Sequence, residues 1–300
     1  MDRDTSMRMR FFGNLHPAVS MAYFVLAVVL TLVCMHPVCV VLSFLGASWF
    51  SIRLRGGKAY GRTLRFVLPM FLLIAIANPL FNHRGVTMLF QYKHLWYTLE
   101  ATVYGLVSAC SLCAVIIWFS CYQEVMTSDK FLYLFGKPFP GTSLLITMTL
   151  RFIPQLQENR KEIKTAQSML CEEGTRVFQK LGFALRNLSV LLTMSLENAV
   201  ETADSMKARG YGAKRRTTFH LFRFDGRDAR TLGAILAVGG ICILARCYGH
   251  GFMEFYPRMT AIILGPASYT MFVFYALLMF MPGMLETKEA LIWRSCVSKI

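Results

Sequence analysis

The chain has 300 residues, of which 55% are hydrophobic and 16% charged, against a charged share of about 25% in soluble domains. Lys and Arg total 32 and Asp and Glu 17, giving a net charge of +15. Basicity without a polar surface excludes an ordinary nucleic-acid binder, and apolarity on this scale excludes an ordinary soluble enzyme. A membrane protein with basic cytoplasmic loops accounts for both numbers.

Charge-free windows locate the spans in chain order. Residues 11–52 contain no Asp, Glu, Lys or Arg across 42 positions. That length of helix is about 63 Å, enough for two crossings of a ~30 Å hydrocarbon core. His36-Pro37 divides the window and predicts a tight turn. Further charge-free windows cover 66–83, 101–123, 231–245 and 259–285. They predict six transmembrane helices, at roughly 18–35, 37–52, 66–81, 100–121, 231–249 and 263–282. No signal-peptide cleavage pattern is evident, since the first apolar run leads into a second span.

Six spans place both termini on one side. With cytoplasmic termini, 28 of the 32 basic residues fall inside and only Arg84, Lys93, Arg246 and Arg258 outside. The positive-inside rule therefore sets the orientation. Three regions follow: spans 1–4 over 1–122 with a basic cytoplasmic loop at 53–65, a cytoplasmic segment at 123–230, and spans 5–6 with a C-terminal tail over 231–300.

Seven of the nine cysteines (Cys34, Cys39, Cys110, Cys113, Cys121, Cys242 and Cys247) lie in or beside apolar runs, while Cys171 and Cys296 lie in polar segments. Buried thiols explain this placement better than a disulfide scaffold. Cys110-x-x-Cys113 has zinc-knuckle spacing, but no second Cys or His pair follows, so no metal site is expected.

Segment 123–230 holds 17 basic and 11 acidic residues and two long helical patterns. The first covers about 142–173. Phe152, Leu156, Ile163, Ala166 and Leu170 form one stripe at helical spacing, and Pro154 should kink it between an apolar and a charged half. The second covers about 177–209, with a leucine-rich front at Leu185, Leu188, Leu191, Leu192 and Leu196. Ala199, Ala203 and Met206 share a face of small residues that suits a close helix crossing. Met148, Met169, Met194 and Met206 fall in these helices and would suit an adaptable partner surface or ordinary packing.

The second pattern ends in Lys207-Ala208-Arg209-Gly210, followed by the basic stretch Lys214, Arg215 and Arg216. A cation in the last turn and a glycine just beyond it suit an ordinary capped helix. An Arg beside an Ala at a helix tip also suits docking: the Ala permits close approach and the Arg reaches an acidic wall. Two long amphipathic helices with no soluble core of their own must bury their apolar stripes on each other, on the membrane boundary or on a partner.

The stretch 197–212, Glu-Asn-Ala-Val-Glu-Thr-Ala-Asp-Ser-Met-Lys-Ala-Arg-Gly-Tyr-Gly, closely resembles the signature of the transmembrane T component of energy-coupling factor (ECF) transporters, the cobalt-transport permease Q family. Residues 78–85, 125–130 and 150–154 resemble other stretches of that family, so the likeness covers most of 66–230. It implies an all-α polytopic membrane protein with two coupling helices that cross in an X. It also implies a non-catalytic subunit in a prokaryotic plasma membrane. Such a subunit joins two cytoplasmic ABC-type ATPases to a membrane S component that captures a vitamin or a transition-metal ion such as cobalt or nickel. No cofactor belongs to the chain itself; ATP and Mg belong to the ATPases. Carried over residue by residue, the resemblance assigns ATPase docking to Ala208, Arg209 and Gly210. A second tip would use Ala166, Gln167, Gly174 and Arg176, although no Ala-Arg-Gly stands there.

The competing readings are weaker. A stand-alone permease or channel would want ionisable residues within its spans, and these spans hold almost none. An intramembrane enzyme would need partners for His83, Arg84, His94 or His250, and no carboxylate or nucleophile accompanies them at plausible spacing. A conventional ABC permease has a short coupling helix, unlike this long segment.

Overall fold

The computed structural model describes residues 11–82, 86–92, 95–136, 138–170, 177–213, 222–249, 253–256 and 265–297. The described parts of residues 1–130 and 222–300 form one unit, and those of 131–221 a second.

The first unit begins with a short helix, α1 (Phe11–Asn14), and two longer ones, α2 (Pro17–Val33) and α3 (Pro37–Arg55). One device starts both. His16 and His36 occupy the N-caps, each followed by Pro, and each Nδ1 accepts the backbone N–H two residues on, at 3.3 Å. Proline at the first helical position gives up an N–H that had no partner anyway. The turn expected at His36-Pro37 is therefore present.

Next comes α4 (Gly57–Phe81). Only Gly56, at φ +85°, separates it from α3. The region 53–65 is thus not a loop. Its cations ride on two helix ends, because a single glycine in the left-handed region suffices to turn the chain. A hairpin follows, β1 (Met88–Tyr92) with β2 (Leu95–Thr98), paired antiparallel with Phe90 opposite Tyr97 and Tyr92 opposite Leu95. At its base Glu100 is buried, and its Oε1 accepts from Thr87 N at 3.1 Å and Thr87 Oγ1 at 2.6 Å. The unit continues with α5 (Leu99–Val125), α9 (Gly226–Cys247) and α10 (Pro266–Val297).

Five helices here (α3, α4, α5, α9 and α10) are long and apolar enough to cross a membrane. The 17-residue apolar α2 falls at the short end of the range for a span, about 17–25 residues. Together they coincide with the six windows read from the sequence, and the protein is an all-α polytopic membrane protein with one small hairpin.

Phe12, Tyr23, Phe24, Phe50 and Trp118 form an aromatic centre with mostly edge-on contacts. A polar thread runs through it. Trp118 Nε1 donates to Ser43 Oγ (3.1 Å), Ser43 Oγ pairs with Thr31 Oγ1 (2.7 Å), and Tyr23 OH donates to the Leu278 carbonyl (3.2 Å). Polar atoms away from water must pair with one another, so these bonds fix how the helices face.

Helix approach depends on small residues. A Cβ added at Gly46 of α3 would lie 2.9 Å from the Met279 carbonyl oxygen of α10. That neighbour is backbone and cannot rotate away. Gly46→Ala should therefore cost about 1–3 kcal/mol through overpacking. A lower thermal unfolding midpoint of the purified protein checks this; an unchanged midpoint refutes it.

Candidate docking site

The second unit contains the end of α6 (Ser128–Gly136), then α7 (Pro140–Leu170) and α8 (Val177–Ala208). Helix α7 is unbroken through Pro154. Residues 148–155 of α7 share one cleft with 198–209 of α8, and residues 160–164 share another with 180–191. Late α7 thus faces early α8, and the two run antiparallel.

The facing stripes are read from the half-buried positions. From Met148 onward on α7 they are Met148, Phe152, Leu156, Asn159, Ile163 and Gln167; on α8, Phe183, Asn187, Leu191, Ser195, Asn198, Thr202 and Met206. Phe152, Leu156 and Ile163 lie where the sequence stripe put them, but Ala166 is exposed. On α8 the facing side is one residue round from the small-residue face. Met206 is on the seam, whereas Ala199 and Ala203 are exposed and Asn198 and Thr202 take the positions beside them. The seam is more polar than an apolar-stripe argument anticipates, which is why the sequence misplaced it.

The end of α8 is built by its backbone. Tyr211 N donates to the Met206 carbonyl (3.0 Å) and Gly210 N to the Lys207 carbonyl (2.9 Å), with Gly210 at φ +82°. This pair of bonds is the Schellman motif, and it needs a residue that tolerates positive φ. A Cβ at Gly210 would meet nothing within 4 Å, so the glycine is required by conformation rather than by space. Ala208, Arg209 and Gly210 are all exposed. Among the described residues the Arg209 guanidinium has no hydrogen bond or ion pair.

Arg209 also lines the cleft that holds Met148, Arg151, Phe152, Glu201, Thr202 and Met206. Two motifs distant in sequence, 150–154 and 197–212, are thereby brought together. Sequence reasoning missed Arg151 as a neighbour of the tip. Its signal was available: it is the lone charged residue between positions 138 and 157.

The proposed second tip differs. Helix α7 runs on through Ala166 and Gln167 to Leu170, so neither residue ends a helix. The Gln167 side-chain oxygen is buried and has no hydrogen-bond partner among the described residues. Gly174 and Arg176 lie outside the described residues, as do His83, Arg84, His94, His250 and the basic stretch Lys214–Arg216. Among the described residues no three of His, Cys, Asp and Glu gather into a metal-binding group.

Much of α8 faces away from α7. Leu185, Leu188, Leu192 and Leu196 are each about half exposed or more. Of the leucine-rich front, Leu191 turns toward the seam and Leu188 stands at the edge of the cleft shared with α7.

No family model matches the chain. Similar curated proteins do. The chain is 29% identical over 221 residues to the energy-coupling factor transporter transmembrane protein EcfT of Lacticaseibacillus paracasei, covering 67% of this chain and 81% of that protein. It is 27% identical over 194 residues to the protein of the same name from Listeria innocua, covering 59% and 73%. The EcfT of Streptococcus thermophilus is 32% identical over 114 residues, or 37% of this chain and 43% of the relative. Six apolar helices, a long helical pair between the fourth and fifth, and this shared sequence make the chain similar to the energy-coupling factor transporter transmembrane proteins.

Proposed function

We propose that the chain is the coupling subunit of an ECF-type importer. It transmits movement from two cytoplasmic ATPases to a separate membrane subunit that binds a vitamin or a transition-metal ion. The observation that carries this reading is the exposed tip of α8, where a backbone-capped helix end presents an Arg209 side chain with no partner among the described residues. A guanidinium with free donors is suited to a carboxylate or carbonyl wall on a partner. The exposed leucines of α8 offer an apolar face to the substrate-binding subunit. The chain hydrolyses nothing itself, and ATP with its Mg acts on the partners. Both termini lie in the cytoplasm in this reading, which the distribution of basic residues supports.

Affinity purification of the tagged full chain from native membranes tests the proposal. Two ABC-type ATPases and a small membrane protein should co-purify. A homo-oligomer free of ATPases would overturn it and favour a stand-alone permease.

A further inference from the structure

Helix α4 has an unusual surface for its position. Within its membrane-spanning window only 11% of residues are buried, against 50% in α3 and in α5. Lys58, Arg62 and Arg65 stand at offsets 0, 4 and 7, and all three are exposed. Those spacings put them on one face of the helix. The same face continues as Pro69, Leu72, Leu73 and Ile76, at offsets 11, 14, 15 and 18. Leu72, Leu73 and Ile76 are 57%, 63% and 51% exposed. The cationic part is about 10 Å long and the apolar part about 10 Å, within one leaflet's acyl depth of ~15 Å.

Nothing in the described chain neutralises these cations. None of the three has a hydrogen bond or ion pair; nearby, Arg55 is the residue held by a carboxylate, Glu124, at 3.5 Å. The sequence has no Asp or Glu between Asp4 and Glu100. A stripe that is triply cationic at one end and apolar beyond it complements a molecule that is anionic at one end and apolar along its length.

We infer that this face of α4 is a docking site for an anionic phospholipid, with the headgroup on Lys58, Arg62 and Arg65 and an acyl chain along Leu72, Leu73 and Ile76. The site is independent of ATPase coupling and stands or falls separately from it. Each cation held near anionic headgroups favours binding by roughly fivefold.

The full chain, purified in detergent and equilibrated with equimolar phosphatidylglycerol and phosphatidylcholine, tests this by native mass spectrometry. The wild-type protein should retain phosphatidylglycerol in preference. Arg65→Gln should lower that preference about fivefold, and Lys58→Gln with Arg62→Gln and Arg65→Gln should abolish it. Arg227→Gln with Arg230→Gln, which removes two exposed cations from α9, should leave it unchanged. Equal retention of the two lipids by the wild-type chain would overturn the inference without any variant having to fold. So would equal losses from the α4 and α9 variants, which would mean diffuse charge. Displacement of the lipid by millimolar inorganic phosphate would show a headgroup pocket in which the apolar stripe is idle, and would also overturn it. If the triple variant kept its lipid preference but lost a co-purifying protein, the stripe would be a protein interface instead.

Discussion

Arg209→Glu should strip the ATPases from the purified complex while leaving the chain itself inserted and folded. The expectation has two parts. The first is that folding is indifferent to the side chain. The residue is exposed, its side chain makes no bond within the described chain, and the helix end is held by main-chain bonds from Gly210 and Tyr211. The second is that the complex depends on the charge. Removing one member of a buried, hydrogen-bonded charge pair at an interface costs about 2–5 kcal/mol, and reversal adds repulsion. On that scale affinity falls by about 30-fold to several thousandfold. The new carboxylate would also share its cleft with Glu201. Arg209→Lys keeps the charge but loses the planar fork, so it should weaken retention without abolishing it. The measurement is the yield of ATPase recovered per tagged chain. Normal recovery with Arg209→Glu would remove the docking role from this tip.

The spans and the end of α8 were legible because each rests on a local rule. A span must be nearly free of charge along its length, and a Gly after a cationic last turn is a common helix stop. The region around Gly56 was not legible. Two adjacent glycines among five cations suggest a loop, yet one positive-φ residue does the whole turn and α4 begins at once. The hairpin at Met88–Tyr92 and Leu95–Thr98 escaped notice because its strands are too short for periodicity to show. The α7–α8 seam failed for another reason. Asn159, Gln167, Asn187, Asn198 and Thr202 all occupy it. Stripe-reading assumes that apolar residues mark the contact, and here the most apolar side of α8 is left uncovered by α7. That departure is itself informative: a face of leucines turned outward, beside a polar internal seam, suits the partner surface proposed above.

The stretch 125–130, singled out only by resemblance, acquires a physical account from Lys130. Helix α5 ends at Val125, Met126 caps it by donating to the Tyr122 carbonyl (2.8 Å), and α6 begins at Ser128. Lys130 is only 7% exposed. Its Nζ donates to the Val125 carbonyl at 3.1 Å and to the Gly13 carbonyl of α1. Both acceptors stand in the last turn of a helix, where carbonyls have no partner within their own helix and where the dipole favours a cation. One ammonium therefore serves two helix ends at once and joins residues 117 positions apart. Lys130→Met keeps the length and flexibility of the side chain and removes both bonds. Hydrogen bonds to a charged group contribute about 1.5–3 kcal/mol each, and the desolvation that the ammonium no longer suffers offsets part of that sum. A net loss of about 2–4 kcal/mol is expected, read as a lower thermal unfolding midpoint of the purified chain. Lys130→Arg should recover part of the loss, since a guanidinium also donates to carbonyls but is bulkier in a buried site. The discriminating result is the comparison of the two variants. If Met and Arg destabilise equally, the site responds to shape alone; if Met destabilises more, the cation is what holds the two helix ends together.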